Sequence, residues 1–270
     1  MSSNFHIKRT ESAHIDELTQ WNGARSTKWV TPPDGKSVLE IQTTHRPQDF
    51  KDVPDDKNLL IPPFHWHWYQ EEQFFIRQGQ YIFTLEDKTM HLSASSPQPI
   101  LIPPGARHTF RADPHSPVPC IIEISTLLSP HQSLLSSSSS SSSSRASILG
   151  ASERFFRNIY SYLEDCTVQG VSPSLPQLVL MLHDAEISLA FPGPAGLARW
   201  VSWGFGVVVG KWVGEWWLGY RSSYPEYFDE GRRARLVQEG GREGEVGRGG
   251  EGQGKASGAE VLREQGTKRK

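Results

Sequence analysis

The chain has 270 residues, 36% of them apolar, and a formal net charge of −2. That near-neutral balance gives no global field to attract nucleic acid or an anionic membrane. Two cysteines, Cys120 and Cys166, are too few for a disulfide framework or a Cys-based zinc site. The length suits one good-sized domain with or without appendages.

Residues 1–36 read as a polar, irregular arm that packs on the domain behind it. They open with MSSNFHIKRTESAHIDEL, which lacks an apolar run after a basic start, so no secretory signal is expected and the cytoplasm is the default location. From 37 to 128 the sequence is a string of short strand-like segments broken by Pro, Gly and Asp. In Ser37–Thr43, Val38 and Glu40 fall on one face, Leu39 and Ile41 on the other. Phe74–Arg77 and Tyr81–Leu85 flank Gln78-Gly79, which reads as a hairpin turn. Pro99–Ile102, His108–Arg111 and Cys120–Ile124 follow. Short strands at this spacing, with no helical apolar period, predict a mainly β domain, a sandwich or small barrel.

Residues 129–150 form a linker containing nine consecutive serines, Ser136 to Ser144, which bury no apolar surface. The stretch 151–228 is helical and Trp-rich. Phe155, Ile159, Tyr162 and Leu163 recur at helical spacing behind a candidate cap, Ser152. A second helix opens near Pro176 and runs through Leu178, Leu182 and Ala185, with Pro192 and Pro194 beyond it. Only eleven uncharged residues separate Arg199 from Lys211, short of the roughly 18–20 that a membrane span needs. The segment 197–220 is therefore expected to be a helix laid over an apolar face of the barrel, with Lys211 and Glu215 paired one turn apart. Its tryptophans keep membrane association as the minority alternative. The tail, 229–270, holds eleven glycines among charged residues and reads as disordered.

The chemistry concentrates in FHWHWYQEEQFFIRQG, residues 64–79. His65 and His67 alternate on a strand, so both imidazoles share one face. Glu72 follows at an odd offset and joins them only if the chain turns at Trp68–Gln70 and starts a new strand. Glu71 is its rival. In ILIPPGARHTF, residues 100–110, Pro103, Pro104 and Gly105 force a turn, and His108 stands beyond it on a strand able to pair with the first. Three imidazoles and a carboxylate make a shell for one divalent ion: Fe, Mn, Ni, Cu or Zn. Trp66 and Trp68, alternating with the histidines, are expected to face outward as packing residues. Phe74, Tyr81 and Phe83 are core residues that are also candidates to line a substrate pocket. Arg107 is a candidate to hold a substrate carboxylate, or else a plain surface arginine.

These residues resemble the two motifs of the cupin superfamily. His65-x-His67, four residues, Glu72, six residues, Gly79 is similar to the first motif, and Pro103-x-Gly105, two residues, His108 to the core of the second, with twenty-three residues between them. The resemblance departs at turn positions: Leu59 and Pro97 stand where family members often have glycine, and Ala112 where motif two closes on asparagine. The interval to Gly79 favours Glu72 over Glu71. IPPFHWHW and a Trp-rich segment ending in LGYRSSYPEYF further resemble filamentous-fungal cupin oxidoreductases of secondary-metabolite clusters, including those making salicylaldehyde-type polyketides.

What the resemblance implies is a single cupin barrel with C-terminal helices, holding one metal ion, Fe(II) ahead of the others, and tailoring a small polyketide or aromatic substrate. Glu72 is implied as a ligand or, if displaced, a general base. A homodimer through edge strands is a family expectation, and nucleic acid is not an expected partner. Two other readings stay open: a non-redox metal-dependent isomerase, cyclase or dehydratase, and a ligand-binding cupin without catalysis.

Overall fold

A computed structural model describes residues 7–30, 37–127 and 150–231. The serine run, most of the glycine-rich tail and residues 31–36 lie outside the described residues.

Among the described residues, eleven strands form two antiparallel sheets. The first sheet has the order β1-β2-β3-β10-β5-β8, with β1 Glu17–Gln20, β2 Arg25–Val30, β3 Ser37–Thr44, β5 Glu71–Gln78, β8 Ile100–Ile102 and β10 Cys120–Leu127. The second has the order β11-β4-β9-β6-β7, with β4 His65–His67, β6 Gln80–Leu85, β7 Lys88–Ser93, β9 His108–Ala112 and β11 Ile187–Leu189. This is the expected mainly β architecture, two facing sheets followed by helices. Its apolar core comes from both inner faces: Phe74, Ile76, Ile102, Cys120, Ile122 and Ile124 from one sheet, Tyr81 and Phe83 from the other. Alternation produces this core, because every second residue of β5 and β10 is buried.

Gly79 is not a hairpin turn. β5 and β6 lie in different sheets, so the chain turns a corner there and crosses the sandwich. Gly79 has a φ of +79°, and a Cβ would sit 2.8 Å from Cys120 Cα and 2.9 Å from the Pro119 carbonyl oxygen. Only glycine fits both the backbone conformation and the contact.

The arm contains more order than its composition suggests. β1 and β2 extend the first sheet beyond β3, and before them Thr10 bonds Asp165 through its amide and hydroxyl, at 2.9 and 2.6 Å. Asp165 belongs to α1 (Glu153–Val168), whose N-cap position is Ser152 as expected, although no side-chain capping bond forms. α1 packs with α2 (Leu175–Asp184), and their inner faces join Ile187, Tyr224 and Tyr227 in a second apolar core. α2 ends earlier than its apolar spacing predicted, and β11 follows it to pair with β4.

The first half of the Trp-rich segment meets the second sheet, as expected: Ser202 Oγ donates to the Leu189 carbonyl of β11 at 2.7 Å, and Arg199 Nη2 donates to the Gly105 carbonyl at 3.3 Å. α3 (Ala195–Phe205) runs on into a π-helical stretch, Gly206–Trp217, that packs on α2. Gly210 and Gly214 permit the approach: Cβ atoms there would lie 3.1 Å from Leu180 Cα and 2.9 Å from the Pro176 carbonyl oxygen. Lys211 pairs with Glu215 at 3.0 Å, as expected, and with Asp184 at 2.6 Å. Trp200, Trp203, Trp212, Trp216 and Trp217 are exposed. Among the described residues, no helix is long and apolar enough to cross a membrane.

Gly79→Ala is expected to destabilise the fold by about 2–4 kcal/mol, combining left-handed backbone strain with a backbone collision. Gly170→Ala, with φ +66° but no atom within 4 Å of the added Cβ, is expected to cost only roughly 1–2 kcal/mol. Urea denaturation midpoints of the two variants check the difference.

Candidate metal centre and the pocket beside it

β4 is three residues long, and its pairing with β9 sets His65 opposite His108. The one-residue alternation along β4 sends His67 to the same side as His65, while the chain turns at Trp68–Gln70 and re-enters as β5 in the opposite sheet. Glu72 thereby faces the histidines from across the sandwich. One ligand atom from each of His65, His67, Glu72 and His108 lies within 4.8 Å of the others, and all four residues are buried. Glu71 points away, half-exposed, and accepts a bond from Gln73 Nε2 at 3.0 Å.

The imidazoles are held in ligand orientation. His65 Nδ1 donates to the Pro63 carbonyl at 2.7 Å and His108 Nδ1 to the Ala106 carbonyl at 3.0 Å. That arrangement directs both Nε2 atoms inward. His67 Nε2 lies 3.3 Å from His65 Nε2 and 3.5 Å from Glu72 Oε1, and His108 Nε2 lies 2.8 Å from Glu72 Oε2.

Electrostatics favours the same assignment. Burial, followed by the two neighbouring imidazoles, pushes the His65 pKa well below its ordinary value, and burial lowers His67 as well. Both are therefore neutral donors at pH 7. Burial alone would raise Glu72, but His67 and His108 override it and bring the carboxyl down to about 2. Burial would lower His108, yet the hydrogen bond and charge of Glu72 raise it. A carboxylate and three inward nitrogens, buried together, fit a borderline divalent cation.

The cluster forms one end of a pocket. Its floor is apolar, with Phe110, Ile124, Phe155, Ile159, Leu163 and Ile187 among the lining side chains. Arg25, Gln42 and Tyr160 line it as well. These polar groups come from β2, β3 and α1, whose register explains them. β3 turns Glu40, Gln42 and Thr44 inward and leaves Leu39 and Ile41 half-exposed, and β2 pairs Arg25 with Thr44 and Thr27 with Gln42. Gln42 Nε2 donates to Glu40 Oε1 and, at 3.1 Å, to the Tyr160 hydroxyl, which itself donates to Glu40 at 3.0 Å. Burial pushes the Glu40 carboxyl up to about 7.

The segment Leu60–Pro63 runs between the two ends of the pocket. The Leu60 carbonyl accepts from Arg25 Nη1 at 3.0 Å, the Pro62 carbonyl from Thr109 Oγ1 at 2.6 Å, and the Pro63 carbonyl from His65.

The other sequence candidates lie elsewhere. Phe74, Tyr81 and Phe83 are fully buried in the sandwich core and do not line this pocket; Phe110, which stacks with Phe83 at 5.5 Å, lines it instead. Arg107 is tied down by Glu86 through its Nε at 2.7 Å, on the surface. The Trp66 and Trp68 rings meet in a tilted contact at 4.3 Å, and Trp68 Nε1 donates to Ser188 Oγ at 3.0 Å, consistent with a packing role. Arg25, Glu40, Gln42 and Tyr160 were not singled out from sequence. The available signal was a strand, β3, whose polar residues alternate as regularly as its apolar ones.

No protein-family model matches the sequence. The chain is similar to a probable oxidoreductase, virH, of Hypocrea virens, at 29% identity, over 83% of this chain and 91% of that protein. It is 27% identical to the probable oxidoreductase yanE of Aspergillus niger, over 81% of this chain and 79% of that one. It is 26% identical to the epoxidase atD of Aspergillus terreus, over 83% of this chain but 65% of that one. Among solved structures, the cupin domain of Schizosaccharomyces pombe Cnp3 aligns with a TM-score of 0.30 at 8% identity, over 45% of this chain and 74% of that one.

Two outcomes follow for this region. Protein purified without chelator is expected to carry one divalent ion, and the double variant His65→Ala, His67→Ala to bind it on the order of a hundredfold or more weakly; equal metal content in both by elemental analysis would remove the site. Between pH 4.5 and 7 the native state holds a proton on Glu40 that the unfolded chain has released, so this residue makes stability fall as pH rises through that window. The full effect is about 3 kcal/mol. Glu40→Gln is expected to abolish that slope, giving a variant more stable than the parent at pH 8 and little changed at pH 4 in urea titrations.

Proposed function

We propose that this chain is a metal-dependent cupin oxidoreductase acting on a small polyketide or aromatic intermediate of fungal secondary metabolism. The observation that carries the metal part is the convergence of His65, His67, Glu72 and His108, with two imidazoles fixed from behind by backbone carbonyls. The oxidoreductase part is supported by relatives named as oxidoreductases across most of this chain. The polyketide part rests on the resemblance drawn from IPPFHWHW and the Trp-rich segment.

The bound ion, Fe(II) first among the fitting metals, would supply a redox couple or Lewis acidity. The protein supplies the rest. Leu59–Pro63 and the inner face of α1 bound the pocket and exclude water from one side of the ion site. Apolar residues between the two ends hold the body of a modest substrate against the metal ligands. Glu72 serves as a ligand rather than a general base, because a carboxyl held near 2 has little affinity for a proton at pH 7.

The test joins metal identity to pathway chemistry. Metabolites from strains carrying the parent gene, the gene with His108→Ala, and no gene are compared, alongside elemental analysis of the purified protein. The expected outcome is an intermediate that accumulates equally in the last two strains, with iron in the parent protein. A redox-inert zinc site with unchanged pathway product would point to the isomerase or cyclase reading. Product formed normally by the His108→Ala strain would show that the metal site is not catalytic.

A further inference from the structure

Among the residues lining the same pocket as the metal ligands is a buried cation. Arg25 is almost fully enclosed, and it lines the same pocket as His65, His67 and Glu72. A guanidinium has five N–H donors. Three bonds use them: Nε and Nη2 to Gln20 Oε1 at 3.0 and 2.5 Å, and Nη1 to the Leu60 carbonyl at 3.0 Å. Every one of these acceptors is neutral. Among the described residues, no carboxylate lies within ion-pair distance of Arg25. Glu40, one strand away, spends Oε1 on Gln42 and Tyr160.

Burying a charge without a direct ion pair is costly, and Glu40 and Glu164 offset part of that cost for Arg25 from beyond contact distance. Arg25 is held in that state by structure built for it. Gln20 orients its fork, Leu60 fixes one terminal nitrogen, and its guanidinium carbon lies 4.9 Å from the Tyr160 ring centroid. Two donors remain, beside a pocket whose other walls are mostly apolar. Planar guanidinium and planar carboxylate are matched in shape and charge.

We infer that Arg25 is a specificity-determining residue that anchors a carboxylate of the substrate, so that the site takes an organic acid with a compact apolar body lying between Arg25 and the metal ligands. This deepens the proposed function and rests on it for the identity of the pocket as the reaction site. A substrate so anchored has its orientation fixed: the acid group toward β2, the reacting part toward His65, His67 and His108. Gln42 and the Tyr160 hydroxyl, bonded to each other, frame the same end as a polar rim.

The experiment uses the full-length protein with its metal as purified, and three probes: benzoate, its neutral analogue benzamide, and acetate, which has the charge without the apolar body. Isothermal titration calorimetry is expected to show benzoate binding the parent at least tenfold more tightly than either other probe. Arg25→Met is expected to weaken benzoate at least tenfold and leave benzamide unchanged, and Arg25→Lys, which keeps the charge but not the fork, to fall between. Benzamide or acetate equalling benzoate in the parent would overturn the assignment without reference to any variant, so a poorly folding Arg25→Met does not block the test. Benzoate affinity unchanged in a metal-loaded, folded Arg25→Met would place the carboxylate on the ion and overturn it too, while sparing the metal reading. Parent protein that binds no metal yet prefers benzoate through Arg25 would defeat the proposed function and uphold the anchor.

Discussion

The short pairing of β4 with β9 is the constraint on which the site depends. β4 offers only three residues, and its contact with β9 sets His65 against His108. A one-residue slip would turn His65 and His67 outward and bring Trp66 to the interior, because side chains alternate along a strand. The register is secured from both flanks: β11 pairs with the far edge of β4 across Ile187–Leu189, and β9 is locked to β6 over five residue pairs. The helical region therefore does more than cover the sandwich. Its strand β11 completes the sheet that carries three of the four candidate ligands, His65, His67 and His108.

Placing three imidazoles and a carboxylate in one dry spot is unfavourable unless each polar atom has work. Backbone carbonyls take the outer nitrogens of His65 and His108, and Glu72 takes the inner nitrogen of His108. His65 Nε2 and His67 Nε2 stand 3.3 Å apart, close enough to share one proton or to coordinate one cation. The same reasoning separates Glu72 from Glu40. Both are buried carboxyls, but the imidazoles facing Glu72 bring it down to about 2, whereas for Glu40 burial outweighs the Gln42 amide, the Arg25 charge and the Tyr160 phenol, and it rises to about 7.

The metal half of the pocket was legible in the sequence, because its signal is local. His65-x-His67 and the interval to Gly79 lie within one short stretch, and His108 follows a Pro-x-Gly turn. The strand-rich class was legible for the same reason. The other half was not. Arg25, Gln42 and Tyr160 come from an arm, a strand and a helix far apart in the chain, and only the sheet order β1-β2-β3-β10 and the docking of α1 bring them together. Alternation separated the two faces of β3 but not which one turns inward: Glu40 and Gln42 are buried and Leu39 and Ile41 half-exposed, because the strand walls a polar pocket. Gly79 was correctly singled out and misread, since a tight turn within one sheet and a corner between two look alike in sequence. The glycines of the Trp-rich segment gave no warning that its second half would settle on α2.

The segment Leu60–Pro63 has a consequence for selectivity. Its carbonyls grip Arg25 at one end and His65 at the other. Two prolines stiffen the span between those grips, since each fixes one backbone torsion and neither has an amide to pair elsewhere. The separation of the cationic end from the ligand cluster is thus set by a nearly inextensible piece of backbone, which acts as a ruler. Molecules sharing the right functional groups but differing by one carbon in reach would be sorted by length before any chemistry began.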